Sequence, residues 1–228
     1  MEDRAVTGQV DDALLVGVFD GHGGAEVAEH ASRHVLGAVG AGLAASLRGE
    51  ALWRRVFEQI DLGRQSCGST ATLVLLRDGV LSAAWAGDSR ALLVTGHACR
   101  VLTPDHRIER LDERRRVEAA GALIEPPYVV DPVTAAGLMM TRALGDRALR
   151  RVGILAEPET AVRHLEPGDL AVVVATDGLW DVAGDDEAAH VCRQAGPQAT
   201  ADRLVALVEE RGGSDNVTVV VVPLARTP

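Results

Sequence analysis

Residues Leu170–Thr176 read LAVVVAT, seven positions without a break in apolar or β-branched character. A strand sends alternate side chains to opposite faces, so a run that is apolar at every position needs cover on both. A chain holding such a strand has to build layers around it. Val217–Leu224 (VTVVVVPL) is a second run of the same kind and reads as the closing strand.

The remaining periodicities supply the other layers. Leu14–Phe19 reads as a buried strand that stops at Asp20 and a glycine-rich turn. Val27, Ala31, Val35, Val39 and Leu43 recur every fourth residue and predict a long amphipathic helix over Ala25–Ser46. Leu52, Val56, Phe57 and Ile60 predict a second helix over Ala51–Leu62. Ala71–Leu76 and Val80–Ala86 flank Arg77-Asp78-Gly79, a hairpin signal, and Arg90–Thr95 continues as a strand. A charged helix is expected over Ile108–Ala120, then irregular structure to about Gly153. Ala201–Arg211 reads as a helix with Thr200 as N-cap and Gly212 just past its end. Strands that arrive in hairpins, with helices between groups of them, predict an α+β fold. With no repeat, low-complexity tract or linker, one domain over residues 1–228 is expected.

Charge and apolar content exclude several functions. The net charge of −10 argues against nucleic-acid or anionic-membrane partners. No apolar run is long enough to cross a bilayer, and the first twenty residues lack a secretory pattern, so a cytoplasmic protein is expected. Cys67, Cys99 and Cys192 form no C-x-x-C spacing and read as reduced thiols. The chain has no lysine, which rules out a nucleotide-binding P-loop at GHGG.

Chemistry gathers at the strand ends. Asp20 follows the first strand in FDGHGG, Asp177 follows the central one in ATDGLWD, and Asp215 precedes the last in GGSDNVTVVVV. Asp88 lies between two hairpin strands in WAGDSR. Carboxylates delivered to one sheet edge repel unless a cation neutralises them. An oxygen-rich set without cysteine points to magnesium or manganese. Gly21 and Gly178 allow close backbone approach beside two of the acids.

FDGHGG, GSTATLVLL, WAGDSRALL, TPDHR, TRALGD, ATDGLWDV and GGSDNVTVVVV resemble, in order, the motifs of the PPM/PP2C-type metal-dependent serine/threonine phosphatases. The resemblance runs from Glu2 to about Val222 and implies a four-layer αββα sandwich, two packed, mainly antiparallel sheets flanked by helices. It implies two Mn2+ or Mg2+ ions, with a weaker third. Asp20 would bridge the two, the Gly21 carbonyl would complete one shell, Asp177 and Asp215 would hold the first ion, and Glu2 would serve the second. Asp88 and Asp181, with Asp177, match the ligands of the third. Asp3 and Asp146 would support the ligands, and His22 matches the general acid. The implied reaction is hydrolysis of phosphoserine and phosphothreonine by a metal-bridging hydroxide, in a monomer that opposes a serine/threonine kinase. Residues 105–146 correspond to the variable flap.

Family members carry a strand ahead of the Glu-Asp pair, with an arginine that grips the substrate phosphate. That position falls before Met1, so the expectation is a chain without that strand and arginine, with an open sheet edge. The alternative is a catalytically weak pseudophosphatase that binds phosphoproteins as a regulatory module. Beside these readings, His30 and His34 are read as helix-face residues and His106 as a loop hydrogen-bonder. Arg107, Arg110 and Arg114–Arg116 are read as a solvated face, and Trp85 and Trp180 as core aromatics.

Overall fold

In the computed structural model, which describes residues 1–64 and 66–224, the apolar runs form the middle of a four-layer sandwich. The strands and helices follow in order β1 (Arg4–Val10), β2 (Ala13–Phe19), β3 (Gly21–His22), α1 (Glu26–Ala44) and α2 (Gly49–Ile60). Next come β4 (Gly68–Ser69), β5 (Ala71–Arg77), β6 (Val80–Ala86), β7 (Arg90–Thr95) and β8 (Cys99–Val101). The segment that follows holds α3 (Leu111–Ala119), β9 (Leu123–Glu125), β10 (Tyr128–Val130), β11 (Gly137–Leu138), β12 (Leu144–Gly145) and a 3-10 helix, Arg147–Val152. The chain closes with β13 (Glu159–His164), β14 (Asp169–Ala175), α4 (Asp177–Trp180), α5 (Asp185–Gln194), α6 (Pro197–Glu210) and β15 (Val219–Pro223).

Two antiparallel sheets, ordered β1-β2-β5-β6-β13 and β15-β14-β7-β8, pack face to face. Side-chain alternation explains the unbroken apolar runs. In β14, Val172 and Val174 meet Val16, Val18 and Val74 between the sheets. Ala171, Val173 and Ala175 point the other way, toward Leu204, Leu207 and Val208 of α6. In β2, Leu15 and Phe19 face α1 and α2, where Val27, Val35, Trp53 and Phe57 are buried. Burying a side chain of this size contributes about 1.5–3 kcal/mol, so each strand of the middle layers stabilises two interfaces at once.

The hairpin at Asp78-Gly79 forms as expected, both residues having positive φ. Four elements depart from expectation. Arg4–Val10, unassigned by pattern, is strand β1; its burial alternates strictly, but Val6 and Val10 are the only large apolar residues on its inner side, so the signal is short. Helix α6 starts at Pro197, not Ala201, because proline suits a first helical turn, and Thr200 lies buried inside it. Asp177 does not end a strand; it opens α4, one residue beyond the Thr176 N-cap position. The stretch to Gly153 is ordered rather than irregular, with a three-stranded sheet β11-β10-β9 and its own core of Ile108, Val117, Val129, Leu149 and Ile154. Strands of two or three residues are too short to show a period.

Candidate active site

A second small sheet, β12-β4-β3, builds one wall of the site. Its register sets His22 opposite Gly68 and Gly68 opposite Gly145, so Asp146, which follows, reaches the histidine. His22 Nε2 and Asp146 Oδ2 are 2.6 Å apart. Gly68 is required beneath them: a Cβ there would collide with both side chains.

The acids converge where the two large sheets end. Pairing of Arg4 with Phe19 carries Glu2 and Asp3 to the end of β2, beside Asp20 and Gly21. A Cβ on Gly21 would lie 2.8 Å from the Glu2 carbonyl, so only glycine permits that approach. The Glu2 amide donates to Asn216 Oδ1 at 2.8 Å, which ties the first residues to the loop carrying Asp215. Thr176 Oγ1 donates to Asp3 Oδ2 at 2.9 Å. A Cβ on Gly178 would strike the Asn216 carbonyl, so the second glycine of the motifs lets the Asp177 turn and the Asp215 loop close together. On the opposite side, the Asp20 amide donates to Thr70 Oγ1 at 3.0 Å, and Thr70 Oγ1 lies 2.7 Å from Ser89 Oγ, next to Asp88.

The electrostatics follow from this crowding. Burial, then the close approach of the Asp177 carboxyl and the charges of Asp177, Asp3 and Asp88, raises the Asp20 carboxyl above the ordinary range. Burial also raises Asp177 and Asp88, even though Arg107 opposes it at both. Asp3 Oδ1, Asp88 Oδ1 and Asp177 Oδ1 are buried atoms without a hydrogen-bond partner among the described residues. Uncompensated carboxylate oxygens in this number are costly. All the donors are hard oxygens, which fits one or more divalent cations of the magnesium or manganese type.

Asp215, in the loop closed against the Asp177 turn, is exposed, and its carboxylate accepts from the Asn216 amide at 2.7 Å. Asp181 is on the rim, one turn beyond Asp177, and its side chain is half exposed. His30 and His34 stack on each other with centroids 4.2 Å apart on α1, and they contribute nothing to the acidic cluster. His106 is fully buried, accepts from the Gly87 amide at 3.2 Å and stacks on Trp85.

Pattern reading missed several positioning groups: Thr70, Ser89, Thr176 and Asn216. The larger correction is Arg107, which is not on a solvated face. It precedes α3 and its guanidinium contacts Asp88 at 2.7 Å, Asp177 at 3.2 Å and Asp181 at 3.1 Å. Glu113 is likewise buried rather than solvated, held by Arg142, Arg116 and Thr141. Its carboxylate groups with His106 and Glu159 closely enough to hold a metal, but Arg110, Arg116 and Arg142 already neutralise that cluster. The sequence signal for a buried Glu113 is faint: Thr141 and Arg142, which enclose it, lie 28 and 29 residues away.

Known proteins share both the sequence and the shape. A family model described as protein phosphatase 2C matches residues 2–217. The chain is 34% identical over 229 residues to mitochondrial protein phosphatase 1K of Xenopus laevis, covering 93% of this chain and 61% of that protein. It is 33% identical over 244 residues to probable protein phosphatase 2C 2 of Arabidopsis thaliana, covering 98% and 64%. The chain thus spans about three fifths of the length of these curated relatives. A serine-threonine phosphatase 2C from Toxoplasma gondii superposes with a TM-score of 0.82 at 22% identity, covering 98% of this chain and 90% of that one. A Caenorhabditis elegans sex-determining protein superposes at 0.83 with 27% identity, covering 98% and 61%. With motifs, layers and site geometry in agreement, the chain belongs to the protein phosphatase 2C family.

Proposed function

We propose that this site hydrolyses phosphoserine and phosphothreonine monoesters on proteins, using two divalent ions, Mn2+ or Mg2+. The observation that carries the reading is the meeting of Asp20 and Asp177, half-buried carboxyls raised by partial burial and lying beside unpartnered acidic oxygens. Asp20, Asp177 and Asp215 would hold one ion, and Asp20 with Glu2 the other, the Gly21 carbonyl completing one of the two shells. Bound there, such ions acidify a water and draw charge from phosphoryl oxygens.

The chain's own groups set up the rest. Asp3, fixed by Thr176, and Asn216, which accepts from the Glu2 amide, hold the first residues against the Asp215 loop. Thr70 and Ser89 fix the Asp20 backbone relative to Asp88. His22 lies against Asp146 through one ring nitrogen. Its other nitrogen makes no hydrogen bond among the described residues and is left to pass a proton to the departing seryl or threonyl oxygen. Asp146 orients the ring.

This reading extends to a monomeric, cytoplasmic enzyme acting against a serine/threonine kinase. No helix among the described residues is long and apolar enough to cross a membrane. The test compares phosphothreonine, phosphoserine and phosphotyrosine peptides with Mn2+ and with EDTA. Release of phosphate from the first two, lost in EDTA and small for phosphotyrosine, supports the proposal. Tight peptide binding without release supports the regulatory pseudophosphatase instead.

A further inference from the structure

Among the described residues, the acids of the site meet one internal cation. Arg107 places Nε on Asp88 Oδ2 at 2.7 Å, Nη2 on Asp177 Oδ2 at 3.2 Å and Nη1 on Asp181 Oδ1 at 3.1 Å. These are the three carboxylates on which the motifs place a third metal ion. We infer that in this chain the Arg107 guanidinium occupies that position as a built-in cation and keeps a third divalent ion out. The inference rests on the two-ion reading of the neighbouring Asp20 centre.

Three features support it. First, the geometry divides Asp177: Oδ2 faces Arg107, while Oδ1 is buried and unpartnered. One oxygen is committed to the arginine and the other is left for an ion shared with Asp20. Second, Arg107 has little freedom to withdraw. Asp105 before it is gripped by Arg90 at 2.9 and 2.7 Å, and the His106 amide and ring both bond to Gly87. The Arg107 backbone also bridges to Met140. Third, a guanidinium stays protonated and presents its donors as a rigid fork, so it serves three carboxylates where a metal ion would need water to complete its shell. An entering ion would have to displace three ion pairs, one of them to the fully buried Asp88.

The test counts bound Mn2+ by electron paramagnetic resonance of the free ion, using metal-free wild type, Arg107→Gln, Arg107→Lys and Arg107→Gln with Asp88→Asn. Wild type and Arg107→Lys should saturate at two equivalents, with no third at 100 times the concentration that fills the second. Arg107→Gln should gain one further equivalent, bound at least tenfold more tightly than any third ion in wild type. Adding Asp88→Asn should remove it. A third ion in wild type whose affinity Arg107→Gln leaves unchanged overturns the inference, as does a folded Arg107→Gln protein that gains none. If Arg107→Gln does not fold, the wild-type titration decides alone, since a third equivalent there refutes the block. Wild type binding fewer than two ions refutes the two-ion reading, while the gain or lack of one equivalent in Arg107→Gln still judges Arg107.

Discussion

His22 and Asp146 lie 124 residues apart in sequence and meet at 2.6 Å because three two-residue strands set them side by side. If the histidine supplies the leaving-group proton, the aspartate is its orienting partner. Replacing His22 by Gln should lower kcat on a phosphothreonine peptide by about 100-fold, within the usual range for a general acid. Asp146→Asn should cost about tenfold in kcat, with little change in KM. Both losses should shrink with p-nitrophenyl phosphate, whose leaving group needs no proton. Equal losses on the two substrates would assign the pair a structural task.

Gly68 offers a test that leaves both side chains in place. Its Cα sits so close beneath the pair that a methyl group would displace Asp146 Oδ2 and His22 Nε2. Gly68→Ala should therefore reproduce the kcat loss of Asp146→Asn while Mn2+ affinity, measured by calorimetry, stays within about twofold. Loss of metal binding together with kcat would show that the small sheet also holds the acidic centre.

The metal-free centre should destabilise the fold. A carboxyl raised by burial, as Asp20 is, keeps a proton in the folded state that the unfolded chain releases. Stability must then fall as pH rises from about 4 toward the raised value. In EDTA, Asp20→Asn should melt about 3 °C higher than wild type at pH 7.5, the shift expected for about 1 kcal/mol in a chain of this size. Wild type alone should gain from added Mn2+. A lower melting temperature for Asp20→Asn in EDTA would contradict the crowding of acids.

Glu113 predicts the opposite pH slope. Burial pushes its carboxyl up, but hydrogen bonds from Arg142, Arg116 and Thr141 outweigh that and hold it at about 2. Its contribution is present above the ordinary glutamate value and is lost as pH falls toward 2. Glu113→Gln should cost about 3 kcal/mol at pH 7, because it removes the buried charge on which the half-buried Arg116 and Arg142 converge. The difference from wild type, read from urea denaturation at pH 7 and pH 3, should narrow at the lower pH.

Legibility in the sequence followed the length of each signal. LAVVVAT and the every-fourth-residue stripe of α1 are long, and both fix a layer and its facing residues. Asp20, Asp88 and Asp177 were readable because each adjoins a glycine beside a strand, and Asp215 because it stands shortly before the closing one. Arg107 was not, since its partners are 19, 70 and 74 residues away and its neighbours Glu109 and Arg110 suggest a solvated helix. Thr70, Thr176 and Asn216 act through side-chain hydrogen bonds to distant residues that no periodicity encodes. The small core around Val129 escaped for the same reason: it is assembled from short strands and a helix, each contributing only one or two residues.

If the carboxylates of Asp20 and Asp177 hold the cations on which phosphate release depends, neither can be spared. The most direct measurement is initial-rate phosphate release from a phosphothreonine peptide at saturating Mn2+, for wild type, Asp20→Ala and Asp177→Ala. All three samples are first shown to be folded by circular dichroism. Wild type should turn over, and each variant should fall by at least about 100-fold, as expected when a stabiliser of transition-state charge is removed. A folded wild-type protein that releases no more phosphate than the two variants would contradict the account.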